Sequence, residues 1–344
     1  MSNAPAMNSR IVLASRPVGA PTLENFRLEQ SPRPTVKSGE VLLRTVYLSL
    51  DPYMRGRMSD SASYAEPVAI GGTMVGATVC VVEESQHPGF AVGERVLAYT
   101  GWQVYAVSDG VGLTRLSLTD TQLPRALGVL GMPGFTAFVG LMDLGEPKAG
   151  ETVVVAAATG AVGSVVGQLA KLQGCRVVGI AGGAAKCAYA VKELGFDACV
   201  DHHDPALGKA LAAACPKGID VYFENVAGVV LDAVVPLLNV GGRVPVCGLI
   251  AYYNMTSLGT GPDLRPALLR AILVKRLKVQ GFIIFDHYER RHAAFQAHMA
   301  GLLQDGRIHY REDVVAGLDA APLAFIGLLN GANFGKLVVQ VGAP

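Results

Sequence analysis

The chain has 344 residues, room for two domains, because a single hydrophobic core seldom grows past roughly 250–300 residues. With 29 Lys and Arg against 28 Asp and Glu the net charge is +1, which offers no electrostatic case for nucleic acid or an anionic membrane and leaves a small molecule as the expected partner. No apolar run reaches the ~18–20 residues of a membrane span, and the segment Met1 to Arg10 has no apolar signal core, so a soluble cytoplasmic protein is expected.

Residues 1–125 read as β-rich. Ile11-Val-Leu-Ala14, Glu40 to Leu48, Gly76 to Val82, Arg95-Val-Leu-Ala98 and Gln103 to Val107 are short, rich in β-branched residues and separated by Gly, Pro or Asp turns, the pattern of a compact barrel or sandwich. Helical periodicity begins near Leu123, and Gly131-Met-Pro-Gly134 reads as a turn into a different regime.

Residues 126–305 alternate strand and helix. Strands are expected at 152–157, 175–181, 198–201, 219–225, 243–247 and 278–284, which fits a doubly wound, six-stranded parallel sheet. The remaining residues, 306–344, hold a helical piece at Ala320 to Leu329 and a last strand from Gly335 to Val341; a completed doubly wound sheet has no place for that strand, so this tail is expected to return to the N-terminal domain.

Within the α/β region, Val153 to Val155 form a β-branched run suited to a strand buried on both faces. Ala158-Thr-Gly160-Ala161-Val162-Gly163 follows, and Val162, Val165, Val166, Leu169 and Leu172 then recur at helical spacing. Glycines between a strand and a helix N-terminus let backbone N–H groups approach a pyrophosphate, where the helix dipole also favours negative charge. The expected second strand ends in Ala181-Gly182-Gly183, with no carboxylate to bond a ribose 2′-hydroxyl or repel a 2′-phosphate. Lys186 follows at the start of the next helix, where an ammonium reaches a phosphate. The pattern favours NADP(H); the bland alternative for Lys186 is a solvated surface lysine.

The six cysteines include no Cys-x-x-Cys pair and read as buried free thiols. The seven histidines are scattered, and adjacent His202 and His203 on a strand would point to opposite faces, so no metal-ligand spacing emerges.

Gly71-Gly72-Thr73-Met-Val-Gly76 stands where zinc alcohol dehydrogenases of the medium-chain superfamily carry a Gly-His-Glu-x-x-Gly metal motif, and no cysteine lies near residue 50. The chain resembles a zinc-independent medium-chain dehydrogenase/reductase, specifically the branch of prostaglandin reductases, leukotriene B4 dehydrogenases, plant alkenal double-bond reductases and bacterial curcumin-reductase-like proteins. Matching segments include Leu50-Asp-Pro-Tyr53-Met-Arg55-Gly-Arg57-Met58, Gly131-Met-Pro-Gly-Phe-Thr136, the glycine fingerprint, Gly182 to Cys187, Tyr222-Phe-Glu-Asn225, Cys247 to Asn254, Gly281 to His287 and Asn333-Phe-Gly335-Lys336.

The resemblance implies a GroES-like N-terminal domain and an NADPH-dependent reduction of the carbon–carbon double bond in an α,β-unsaturated aldehyde or ketone. Hydride goes to the β-carbon, and the enolate oxygen is stabilised by a tyrosine, matched by Tyr253, and by the cofactor ribose hydroxyl. Tyr252 is adjacent and stays open for that role; either ring is otherwise a packing residue at a strand end. The α-carbon proton comes from a tyrosine or from water. The resemblance also carries over Lys186 as a 2′-phosphate contact, with His202 standing where the family has a tyrosine, and places Asn225 and Asn333 beside the dinucleotide, although each asparagine also suits a turn. Tyr53, Arg55 and Met58 would line or support the substrate cleft, together with Tyr252; Arg55 and Arg57 also read as salt-bridging loop residues. The family's dimers, and the exposed edge expected near Val279 to Phe285, point to a homodimer. Alternatives are a quinone oxidoreductase on the same frame and a non-catalytic NADPH-binding sensor.

Overall fold

A computed structural model describes residues 7–257 and 263–344. Contacts divide the chain into two units, one running to Leu127 and resuming with Glu312–Asn333 and Leu337–Pro344, the other comprising Gly128–Arg311 with Phe334–Lys336.

The first unit begins with β1 (Met7–Leu13) and β2 (Phe26–Pro32), an antiparallel ribbon. Next come β3 (Val41–Ser49), the short helix α1 (Met54–Arg57), β4 (Thr78–Ser85), β5 (Arg95–Ala98), β6 (Tyr105–Ser108) and β7 (Thr114–Arg115). Long strand β3 is the spine: it pairs antiparallel with β4, and on its other edge with β6. Almost every residue of β3 is buried, which accounts for its near-continuous apolar sequence.

In the second unit α2 (Met132–Val139) leads into β8 (Thr152–Ala156), α3 (Gly163–Leu172), β9 (Arg176–Ala181), α4 (Ala184–Lys192), β10 (Ala198–Asp201), α5 (Leu207–Ala214), β11 (Ile219–Phe223), α6 (Gly228–Val234), β12 (Leu238–Val246), α7 (Arg265–Lys275), β13 (Lys278–Gly281) and α8 (Tyr288–Gln304). The six strands form one parallel sheet in the order β10-β9-β8-β11-β12-β13, the doubly wound arrangement expected from the sequence. Central strand β8 supplies both cores: Val153 and Val155 join one apolar cluster, Val154 and Ala156 the opposite one. The chain then returns to the first unit through β14 (Glu312–Ala316), α9 (Ala321–Leu329) and β15 (Lys336–Gln340), where Val338 to Gln340 pair with Tyr47 to Ser49 of β3.

Several local expectations change. Gly131 to Gly134 is the start of α2 rather than a turn: Pro133 occupies the first helical turn, and a Cβ at Gly134 would lie 2.0 Å from the Val129 carbonyl oxygen. The fifth sheet strand starts at Leu238 instead of 243, and the sixth ends at Gly281, giving way to a 3-10 turn at Ile284–His287. β2 and β14 were not expected as strands. His202 and His203 follow β10 in a turn, so they do not diverge; their rings lie 4.1 Å apart. Among the described residues no single helix is long and apolar enough to cross a membrane.

Candidate functional site

In the parallel sheet the strand order reverses between β8 and β11, and ligands of doubly wound folds bind outside the carboxyl ends of the strands at such a switch point. The fingerprint lies there. Ala157 leaves β8 with a φ of 52°, a left-handed conformation that turns the chain sharply. A Cβ on Gly163 would stand 2.3 Å from the Ala157 carbonyl oxygen, and one on Gly160 3.2 Å from the same atom, so the start of α3 closes onto the strand end only because both are glycine. Ala161 and Val162 are half-buried between them, and Ala158, where a glycine is usual, is fully buried against the position a Gly179 side chain would take. Gly335, with a φ of 90°, forms a parallel bridge to Gly160.

Gly182, Lys186 and His202 come together beside the end of β9. A Cβ on Gly182 would meet the His202 ring at 2.9 Å, and Gly183, at φ 88°, has open space around it. Lys186 is half-buried in the first turn of α4 and close enough to disfavour a charge on His202. Burial, then neighbouring His203, holds the His202 imidazole below its ordinary value. Glycines a side chain would fill, a cation and an imidazole at one turn fit the ribose phosphate of NADP(H).

A carboxylate that strand-by-strand reading of the sequence does not find also stands here. Asp201 at the end of β10 is paired in register with Ala181, and its Oδ1 accepts the N–H of Gly183 and of His203, each at 3.0 Å. Those two amides hold its pKa below the usual carboxylate range. Asp201 is thus an anchor of the β9–α4 turn.

Across the switch point, Asn225 Nδ2 donates to the Ala156 carbonyl at 2.8 Å, tying the end of β11 to the end of β8. Glu224 beside it is 1 % exposed; its Oε1 accepts the N–H of Val226 at 2.6 Å, the N–H of Ala227 at 2.8 Å and the Tyr222 hydroxyl at 2.9 Å. Burial nevertheless raises its carboxyl pKa. Ala227 adopts φ 69° and ψ −156°, a region populated almost only by glycine and worth about 1–3 kcal/mol of strain in other residues.

Tyr252 and Tyr253 occupy a 3-10 turn, Ile250–Tyr252, and its cap rather than a strand end. Tyr253 is half-buried, and its hydroxyl accepts the Leu249 N–H at 3.4 Å. Tyr252 is 46 % exposed and its hydroxyl accepts the Gly228 N–H at 3.3 Å.

Tyr53, Arg55, Met58 and Asn333 belong to the first unit. Met58 is fully buried in the apolar cluster with Leu50 and Trp102, and Arg55, 6 % exposed, donates from Nη2 to the Gly19 carbonyl at 2.8 Å. Both side chains are thus turned into the first unit's own interior. Tyr53 is half-buried, and desolvation, then the nearby Asp51 carboxylate, raises its phenol pKa, so the hydroxyl keeps its proton. Asn333 immediately precedes Phe334, whose ring packs edge-on against Tyr189 at 4.8 Å in the second unit.

The zinc site of the wider superfamily does not fit these residues. A Cβ at Gly72 would sit 2.9 Å from the Ala69 carbonyl oxygen, Thr73 offers only a hydroxyl, and no cluster of three or more His, Cys, Asp or Glu among the described residues is arranged to hold a metal.

Residues 9–116 match a family model described as the N-terminal domain of oxidoreductase, and residues 161–301 one described as zinc-binding dehydrogenase; the latter stretch excludes Gly72 and Thr73. The chain is 58 % identical over 334 residues to the NADPH-dependent curcumin reductase of Escherichia coli, with 97 % of each chain covered. It is 41 % identical to bovine prostaglandin reductase 1, covering 94 % of this chain and 96 % of the relative, and 38 % identical to the 2-alkenal reductase (NADP(+)-dependent) of Nicotiana tabacum, with 97 % of each covered. The crystal structure of CurA from Vibrio vulnificus in complex with NADPH superposes with a TM-score of 0.95 at 62 % identity, over 98 % of this chain and all of that one, coverage there being 100 %.

Proposed function

The chain belongs to the zinc-independent medium-chain dehydrogenase/reductase family, in the branch of the curcumin, prostaglandin and 2-alkenal reductases, and from that premise we propose that it reduces the carbon–carbon double bond of α,β-unsaturated aldehydes or ketones with NADPH. The observation that carries this reading is the grouping, within one unit, of the glycine fingerprint and Asn225 at the switch point with a half-buried tyrosine hydroxyl on the next loop.

Gly160, Ala161, Val162 and Gly163 would take the pyrophosphate, and Gly182, Lys186 and His202 the 2′-phosphate; Asn333 is assigned to the cofactor by resemblance. When bound, NADPH supplies the hydride that adds to the β-carbon. The Tyr253 hydroxyl donates a hydrogen bond to the substrate carbonyl oxygen, where negative charge collects during the reaction. A neutral donor aimed at that oxygen stabilises the transition state more than the ground state, which is the condition for a rate gain. Tyr252, with its hydroxyl turned to Gly228, holds the turn and borders the substrate. Tyr53, Arg55 and Met58 of the first unit are assigned to lining or supporting the substrate cleft by resemblance alone.

We further read the protein as a cytoplasmic homodimer. All six cysteines are free of disulfides, as a reducing compartment permits. Edge strand β13 is exposed throughout, and Leu269, Leu273 and Val274 of α7 and Val279 of β13 present apolar side chains to solvent.

The test is NADPH oxidation followed in turn with a linear enal or enone, a quinone and a saturated ketone. Turnover with the enal or enone and none with the ketone is expected. Tight NADPH binding without turnover of any enal or enone would overturn the reading; preference for the quinone would move the chain to quinone reduction.

A further inference from the structure

The carboxylate of Glu224 has no part in the reaction as described, yet its bonding is elaborate. Three donors converge on a single oxygen, and the turn they hold contains an alanine in a conformation that belongs to glycine. Backbone strain of this kind persists only where the surroundings impose it, and it collects where a geometry matters.

That turn is coupled to the tyrosine segment by further hydrogen bonds. Ile250 N–H donates to the Asn225 carbonyl at 3.4 Å, Ala251 N–H to the Val226 carbonyl at 3.0 Å, and Gly228 N–H to the Tyr252 hydroxyl. The main-chain carbonyl of Glu224 accepts from Cys247 at 2.9 Å and from Gly248 at 3.2 Å, at the root of the same loop. The Tyr253 hydroxyl lies against this root: a Cβ on Gly248 would be 3.3 Å from it, and it accepts the Leu249 N–H at 3.4 Å. Side chain and main chain of one residue therefore brace both ends of the segment that carries Tyr253.

We propose that Glu224 is a positioning residue for Tyr253: its carboxylate holds the strained Val226–Ala227 turn in the one shape against which the Ile250–Tyr253 segment docks, and so fixes where the phenol points. This rests on the assignment of Tyr253 to the substrate carbonyl. A misdirected donor costs rate without loosening cofactor, because the fingerprint lies on a different loop.

The experiment compares wild type with E224Q, E224A, Y253F and the double variant E224A/Y253F. The measurements are kcat with an enone, KM for NADPH, NADPH affinity by fluorescence titration, and thermal midpoint. The amide oxygen of E224Q still accepts the two main-chain N–H groups, so its kcat should stay within about threefold of wild type. E224A should lose about 10- to 100-fold in kcat while KM and affinity for NADPH move by less than about threefold, and adding it to Y253F should cost little more, since both act on one interaction. If E224A does not accumulate folded, E224A/A227G takes its place, because glycine adopts the turn without strain. Wild-type kcat in E224A beside a slow Y253F would overturn the proposal, as would multiplicative losses in the double variant or weakened NADPH binding as the main effect of E224A. Wild-type turnover in Y253F would instead strike the assignment of Tyr253 itself.

Discussion

The side-chain amide of Asn225 donates across 2.8 Å to the main-chain carbonyl of Ala156, a buried acceptor at the end of the central strand. This bond closes the gap between the two strands at which the sheet changes direction, directly under the fingerprint.

Asn225→Ala leaves the Ala156 carbonyl without that partner in a place water does not reach, which costs about 1–3 kcal/mol. We expect a lower thermal midpoint and roughly tenfold weaker NADPH binding, since the loop above loses its support. Calorimetry and fluorescence titration measure the two separately, and unchanged NADPH affinity would show that the clamp is purely structural.

Lys186→Ala should discriminate between cofactors. Removing the ammonium weakens NADPH by at least tenfold and leaves NADH nearly untouched, because only NADPH carries the phosphate. An equal loss for both would place the phosphate elsewhere.

The pH dependence of NADPH binding should carry a contribution from His202. Its pKa is depressed from 6.5 in the folded protein by burial and then by His203, so between 6.5 and the lower folded value the unfolded chain binds more protons, and stability falls as pH drops. A phosphate beside the imidazole raises that pKa, so affinity for NADPH grows as pH falls through the same window. Titrations of wild type and His202→Asn at several pH values should differ in slope; parallel curves would remove His202 from the phosphate site.

Tyr253→Phe is expected to lower kcat by about 100-fold with little change in NADPH affinity, the effect of losing one donor at a developing oxyanion. Tyr252→Phe loses only its contact with the Gly228 amide and should cost less than about fivefold. A reversal of the two would exchange their roles.

Gly163→Ala puts a methyl carbon 2.3 Å from a backbone oxygen, where no rotamer relieves the clash. Overpacking of this kind costs about 1–3 kcal/mol, visible as a shift in denaturant midpoint, and NADPH binding should fall with it.

Much of this architecture was legible from residue pattern. The apolar run at Val153 to Val155 and the glycine spacing predicted the central strand and its turn, because a strand buried on two faces tolerates nothing else. Strand β2 escaped because Phe26–Pro32 is mostly exposed and polar, leaving no periodic signal. Asp201 and Glu224 escaped for a different reason. The first is brought to the Gly182 turn by cross-strand register with Ala181, the second by a backward bend of its own chain, and neither relationship exists in a linear reading. The two histidines escape strand alternation because both lie past the end of β10 at Asp201.

The pairing of β15 with β3 has a consequence for how the protein is made. On a ribosome, Tyr47 to Ser49 emerge long before their partners on that edge, Val338 to Gln340. At ordinary elongation speeds the open edge waits on the order of tens of seconds. The second unit, contiguous but for the three residues Phe334–Lys336, is free to form its parallel sheet meanwhile. The nascent chain thus carries a nearly complete nucleotide-binding unit while the sheet of its first-made unit still lacks β14 and β15.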